Sequence, residues 1–107
     1  MGLIRGTLDV LVLKSISWTP MHAFEIARWL EDRSNGRLTI DGPALIQALH
    51  RMEERKLVAG EWGVTKNGRR ARYYGITAVG RAHLKAEITK LADDTNALMT
   101  VLSAKRS

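Results

Sequence analysis

Apolar residues recur at helical spacing along residues 43–55. Four of them share one side of a helical wheel: Leu45, Ala48, Leu49 and Met52. The other side is predicted to be exposed: Ile46, Gln47, His50, Arg51 and Glu54. Glutamine can pair with adenine, arginine with guanine, and isoleucine can touch a thymine methyl group. This face suits a DNA groove, but a solvated helix face with one stray apolar residue is the simpler interpretation of the helix alone.

Residues 57–76 predict a β-hairpin with a basic tip. Segments 57–62 and 70–76 flank Asn67-Gly68, a dipeptide that strongly favours a two-residue type I′ turn. Such a turn predicts three cross-strand pairs: Lys66 with Arg69, Thr65 with Arg70, and Trp62 with Tyr73. Like charges that face each other are unfavourable, so an anionic partner such as a phosphate backbone would stabilise this tip. The alternative is a solvated basic loop.

The distribution of charge supports a nucleic-acid partner. The net charge of +6 comes from 17 basic and 11 acidic residues, and eight of the basic but only three of the acidic ones fall within residues 43–81. Because the positive charge is concentrated there, it resembles the electrostatic footprint of a nucleic-acid-binding surface.

The N-terminal segment, residues 3–17, is predicted to be a helix that is apolar on most sides. Its apolar residues are Leu3, Ile4, Leu8, Val10, Leu11, Val12, Leu13 and Ile16. A helix of this kind must be buried on several sides. It is therefore either a dimer element, with Leu8 and Leu11 at the interface, or the central helix of the core.

The next segment predicts a second helix. Thr19-Pro20 is expected to supply an N-cap and a first-turn proline, and Asn35-Gly36 a C-terminal stop. Residues 37–40 are a possible third strand, and Pro43 opens the following helix. On the outer face of the second helix, Trp29 either packs against its surroundings or lines a ligand pocket.

A long final helix is predicted after Thr77, which can cap it. Spacings of four and three residues connect Leu84, Ile88, Leu91, Thr95, Leu98 and Leu102. Such a seam needs a partner helix. We expect a homodimer, because about 25 residues would extend roughly 38 Å, longer than so small a domain covers. The alternative is packing against the chain's own first helix.

Composition and motifs argue against several other classes of protein. There is no cysteine, and the three histidines, His22, His50 and His83, have no metal-ligand spacing. No glycine-rich phosphate loop, membrane-spanning run or signal peptide is present. We therefore expect a cytoplasmic protein that is not an enzyme, with no cofactor, no metal and no membrane association.

Several short motifs, in order along nearly the whole chain, resemble the PadR family of transcriptional regulators. They are Gly6–Leu13, Met21–Ala27, Ala48–Glu53, Glu61–Gly63 with Arg69–Tyr74, and Ile76–Arg81. The family usually has Gly-Ser-Leu-Tyr-Pro before the motif at Ala48, and its Ser and Tyr contact DNA. Here Ala44 and Ile46 occupy those two positions, so both contacts are missing. Ala23 and Phe24 replace a usual Gly-Tyr pair.

The resemblance implies a mainly α fold with a small β-hairpin, namely a winged helix-turn-helix in residues 1–77 and a dimerisation helix in residues 78–107. It implies a homodimeric repressor that binds double-stranded operator DNA and is released by a small, often aromatic, effector. The alternative is a winged-helix module that binds protein instead of DNA.

The expected site residues follow from these arguments together. The DNA-binding candidates are Ala44, Ile46, Gln47, His50, Arg51, Lys66, Arg69, Arg70 and Arg72. The dimer candidates are Leu8, Leu11, Leu84, Ile88, Leu91, Leu98 and Leu102. Trp18 and Trp29 are the candidate walls of an effector site between the first and last helices.

Overall fold

Four helices and one antiparallel hairpin make up the computed structural model, which describes residues 7–106. In chain order they are α1 (Thr7–Ser15), α2 (Ala23–Arg33), α3 (Gly42–Glu54), β1 (Val58–Val64), β2 (Arg70–Ile76) and α4 (Ala78–Leu102). This order confirms the predicted fold class of a mainly helical winged helix with a long last helix. Leu3, Ile4 and Gly6, which entered the predictions above, lie outside the described residues.

Helix α1 forms the centre of the core and contacts α2, α3 and α4. Val12, Leu13 and the following Ile16 are almost completely buried. Leu8 and Leu11 are partly buried and pack against the same core. The structure therefore supports the central-helix interpretation of this segment.

The prediction that Thr19 caps the second helix and Pro20 lies in its first turn was wrong, because α2 begins at Ala23. Its N-cap is His22, whose Nδ1 accepts a hydrogen bond from the Glu25 backbone N–H, while the Glu25 carboxylate accepts one from the His22 N–H. The preceding Met21 is extended and exchanges two backbone hydrogen bonds with Tyr74 of β2. Because an extended residue cannot continue a helix, this bridge sets the start of α2.

Helix α3 follows the predicted pattern closely. The Asp41 side chain caps it by accepting a hydrogen bond from the Ala44 N–H at 3.1 Å, and Pro43 lies in the first turn, where a missing N–H is tolerated. The predicted core face is buried: Leu45, Ala48, Leu49 and Met52. The opposite face is left exposed.

The hairpin differs from the prediction by one residue of register. Its loop has three residues, because the Gly68 N–H donates to the Thr65 carbonyl and the Thr65 N–H donates to the Arg69 carbonyl. Of the two turn residues, only Gly68 has a positive φ, +80°, so the turn is not type I′. The observed cross-strand pairs therefore replace the predicted ones: Trp62 with Arg72, and Val64 with Arg70.

The predicted third strand at residues 37–40 is also wrong. The sheet of the described chain has two strands, and 37–40 form neither helix nor strand. The open edge of β2 is occupied instead by Met21 through its bridge to Tyr74.

Helix α4 is joined tightly to the base of the wing. Thr77 caps it as predicted: its Oγ1 accepts from the Gly80 N–H at 2.9 Å and donates to the Lys56 carbonyl at 2.7 Å. The backbone at Gly80 lies so close to Leu57 that an added Cβ would overlap the Leu57 carbonyl oxygen. No helix among the described residues is long and apolar enough to cross a bilayer.

Candidate nucleic-acid interface

The exposed face of α3 presents a mixed polar surface with one apolar member. Gln47, His50 and Arg51 are exposed, and Ile46 is 38% exposed. Ala44 is only half-buried and lies in the first turn of the helix. The predicted candidates on α3 therefore do share one accessible surface, which carries the side-chain types that can contact base edges.

The side chain of Arg51 is paired with an acidic residue, Asp9, that was not among the predicted site residues. Its Nη2 donates to Asp9 Oδ1 at 3.0 Å, and Asp9, on α1, is only 8% exposed. A buried carboxylate is unfavourable without a partner, so this contact fixes α1 against α3. The Arg51 side chain remains about half exposed, 54%. A lone aspartate within an apolar helix was the available signal.

Glu53, at the last turn of α3, ties the wing to this helix. Its Oε2 accepts from Arg72 Nη2 at 2.7 Å and from the Gly60 N–H at 3.2 Å. The hydrogen bond from Arg72 to this carboxylate raises the pKa of the guanidinium. A Cβ at position 60 would lie 2.5 Å from Arg72 Nε, so a side chain there would displace the guanidinium from its position beside Glu53.

Arg72 was predicted to contact DNA, and the structure instead places it in this ion pair. Its charge is balanced by Glu53 and its side chain is only about one-third exposed, 32%. Arg72 therefore joins the wing to α3 in this structure. The one-residue error in register hid this contact, because it placed Trp62 opposite Tyr73 rather than Arg72.

Three cations remain at the wing tip. Lys66, Arg69 and Arg70 are exposed, and none of them forms an ion pair with a carboxylate between residues 7 and 106. Arg70 lies over the indole of Trp62, with its guanidinium carbon 4.7 Å from the ring centroid. An uncompensated cluster of this kind, beside an exposed helix face, is suited to a polyanion.

The two candidate effector tryptophans come together, but not where they were expected. Trp18 and Trp29 lie with ring centroids 5.8 Å apart and line a cavity of about 530 Å³ between the end of α1 and α2, with Met21 and Arg33. A separate groove of about 520 Å³ runs between α1 and α4, and Trp18 lines it while Trp29 does not. The space between the first and last helices therefore lacks Trp29, and the two tryptophans meet in a different space that shares Trp18 with it.

The predicted seam on α4 divides into two parts. Leu84 is 7% exposed and packs into the core near α1. Every residue from position 88 to 106 is exposed, including the apolar residues Ile88, Leu91, Leu98, Met99, Val101 and Leu102. Packing against the chain's own first helix thus accounts for Leu84 but leaves the distal seam uncovered.

Comparison with known proteins agrees with this geometry. The sequence model of the "Transcriptional regulator PadR-like family" matches residues 12–86, which is more than half of the chain. The protein belongs to the PadR-like family. This family consists of transcriptional regulators, which are not enzymes, and the earlier resemblance is confirmed.

Individual relatives of this PadR-like protein are distant. A Lysinibacillus sphaericus protein described as "Uncharacterized protein X" is 28% identical over 91 residues, which cover 85% of this chain and 84% of that one. A PadR-like transcriptional regulator from Bacillus cereus has the same fold, with a TM-score of 0.82, 20% identity and coverage of 98% and 100% of the two chains. A PadR family transcriptional regulator from Eggerthella lenta has a TM-score of 0.81 and 24% identity, and the match covers 94% of this chain and 86% of that one. These structural matches establish the fold.

Proposed function

We propose that the protein is a homodimeric repressor that binds a specific double-stranded DNA operator in the cytoplasm. The observation that carries this proposal is the link between α3, which has an exposed polar face, and the wing, whose tip carries three uncompensated cations. Glu53 of α3 makes this link by accepting hydrogen bonds from Gly60 and Arg72 of the wing. A duplex that met α3 in its major groove would place its phosphates against the wing.

The two surfaces are expected to divide affinity and specificity between them. Gln47 and His50 lie on the exposed face of α3 and have the donors and acceptors that discriminate between base pairs. Lys66 and Arg69 are exposed on a loop and suit phosphate contacts, which are independent of sequence. Because Ala44 and Ile46 cannot donate hydrogen bonds from their side chains, base recognition falls mainly to Gln47 and His50.

The proposal of a homodimer rests on the distal half of α4. In this arrangement residues 1–77 bind DNA, and residues 78–107 form the dimerisation element. Leu98 and Leu102 are 62% and 76% exposed, which is costly for apolar side chains in a row. A second α4 would bury the seam and would present two α3 helices to two half-sites of an operator.

An effector is proposed to bind the cavity between Trp18 and Trp29. Its volume of about 530 Å³ suits a small planar molecule. The two indoles and Met21 provide apolar walls, so an aromatic compound is the favoured class. Titration of a panel of planar aromatic compounds should change tryptophan fluorescence and weaken operator binding. A panel without any response in either measurement would reject the effector.

The DNA-binding proposal is tested by two substitutions measured on two DNAs. The operator is first selected from genomic fragments, including the region upstream of the protein's own gene. Gln47→Ala should then cost roughly 1–3 kcal/mol on the operator and little on random duplex, because one base contact is lost. Arg69→Ala should weaken binding to both DNAs and reduce the salt slope by about one unit.

The opposite pattern would show that the roles are assigned wrongly. If Gln47→Ala weakens both DNAs equally, or Arg69→Ala affects only the operator, then α3 and the wing do not divide the work as proposed. If the wild-type protein shows no salt-dependent affinity for any duplex, the protein-interaction alternative replaces the DNA-binding proposal.

A further inference from the structure

Trp62 is a large aromatic residue on the wing that the proposed function does not yet use. It is 58% exposed, although tryptophan is ordinarily among the more buried residues. Two guanidiniums lie near its ring: the central carbon of Arg70 is 4.7 Å from the ring centroid and that of Arg72 is 5.7 Å away. Both distances are within the range of cation–π attraction.

Strand alternation places this cluster on the side of the wing that faces α3. Arg70, Arg72 and Tyr74 are two residues apart in β2 and therefore share one face. Tyr74 is buried in the core and Arg72 reaches Glu53 of α3, so this is the inner face of the wing. Trp62 lies directly opposite Arg72 and therefore lies on the same face of the hairpin.

The two arginines near Trp62 differ in whether a carboxylate balances their positive charge. The charge of Arg72 is balanced by the Glu53 carboxylate at 2.7 Å. Arg70 has no carboxylate partner among the described residues, and its contact with Trp62 leaves its charge uncompensated. An aromatic ring can therefore orient Arg70 without cancelling the charge that a phosphate would bind.

We propose that Trp62 is a positioning residue for DNA binding, which holds the Arg70 guanidinium on the α3 side of the wing, ready to meet a backbone phosphate of the duplex that α3 reads. This inference rests on the proposed DNA-binding function. Arginine is a long side chain, and ordering it on binding reduces affinity. Stacking on Trp62 orders it beforehand, and Glu53 keeps Arg72 from competing for the same position.

A double-mutant cycle tests this role. Trp62→Leu should weaken binding to operator and to random duplex alike by about two- to fivefold, the range expected for loss of an exposed cation–π contact. In the Arg70→Ala background the same substitution should cause no further loss, because Trp62 acts through Arg70. Trp62→Phe should retain most of the affinity, since phenylalanine keeps an aromatic face.

Val64→Ala is the matched control, because Val64 is also an exposed apolar residue of β1, 65% exposed, and it pairs with Arg70 across the hairpin. It offers no aromatic face, so its loss should leave DNA affinity unchanged. Equal losses from Trp62→Leu in the presence and absence of Arg70, or no loss at all, would overturn the inference. If Trp62→Leu lowers the melting temperature, the same cycle is run with Trp62→Thr, which favours a strand and has no aromatic face. Failure of the wild type to bind duplex would reject the proposed function itself, which is a distinct result.

Discussion

Two exposed helix faces of this protein differ in almost every chemical respect. The outer face of α3 is polar and lies beside a cationic wing, whereas the distal half of α4 presents a row of apolar residues that ends with Val101 and Leu102. Two residues of α3 are paired with other elements, since Arg51 contacts Asp9 of α1 and Glu53 contacts Arg72 of β2. Beyond Ile88, α4 has no such support from the described part of the chain.

The difference shows that exposure alone does not identify a partner, whereas the chemistry of the exposed groups does. Polar groups can remain solvated in the free protein, so the α3 surface is stable with or without a ligand. A continuous apolar row carries a cost in water until it is covered. We therefore expect α4 to be paired continuously and α3 to bind its partner reversibly.

The largest effect is expected from placing charge on the apolar row. Replacing Ile88 and Leu91 together with Asp should raise the dissociation constant of the dimer by more than roughly a thousandfold, because buried carboxylates without partners are strongly unfavourable. Analytical ultracentrifugation would detect the change from dimer to monomer.

The control for this experiment places the same charge elsewhere on α4. Ala86 and Asn96 are exposed and lie outside the seam, so replacing both with Asp should leave the dimer intact. A wild-type protein that sediments as a monomer at micromolar concentration would remove the contrast between the two faces.

A smaller effect is expected at the contact between Gly80 of α4 and Leu57, which precedes the wing. Gly80→Ala should lower the free energy of unfolding by about 3 kcal/mol, because the new methyl group would overlap the Leu57 carbonyl oxygen. Urea denaturation measures this change. Gly42→Ala is the control, since nothing lies within 4 Å of its added Cβ, and it should be neutral or slightly stabilising. Equal stability of the two variants would show that the joint between wing and α4 is not tightly packed.

The smallest effect is expected at the Glu53–Arg72 ion pair, which joins α3 to the wing. Glu53→Gln should lower the free energy of unfolding slightly, through loss of the charged hydrogen bond from Arg72. It should also raise affinity for random duplex and steepen its salt dependence, because Arg72 is no longer neutralised. Urea denaturation and a salt series of binding measurements test both parts.

Glu54→Gln gives the comparison for this variant, because Glu54 is exposed and forms no ion pair within residues 7–106. It changes charge by the same amount without releasing a cation, so its stability should match the wild type. If the two variants had the same free energy of unfolding, the ion pair of Glu53 with Arg72 would contribute nothing to stability.

The elements of the fold could be predicted because their signals are local. The spacing of Leu45, Leu49 and Met52 located α3, and Thr77 with the seam beyond it located α4. The start of α2 could not be predicted, since it depends on the backbone bridge between Met21 and Tyr74, which are distant in sequence.

The candidate site was predicted as a set of exposed residues but not as a network. The Asp9–Arg51 contact spans 42 positions and the Glu53–Arg72 contact spans 19, and no local pattern encodes either. The hairpin register decided the role of Arg72 and Trp62, and it depended on whether Asn67 adopts a positive φ. The turn residues were recognised correctly, but two turn types were compatible with them.

Because Gly80 packs closely against Leu57, we expect α4 to move together with the wing and α3 as one rigid unit. In a dimer formed through the distal seam, the crossing angle of the two α4 helices would set the separation of the two α3 helices, because α4 packs at Gly80 against Leu57, which follows α3. Over a helix of about 38 Å, a tilt of roughly 5° moves the far end by about 3 Å, close to the rise of one base pair. Substitutions in the seam could therefore retune the preferred half-site spacing of an operator without altering any residue that touches DNA.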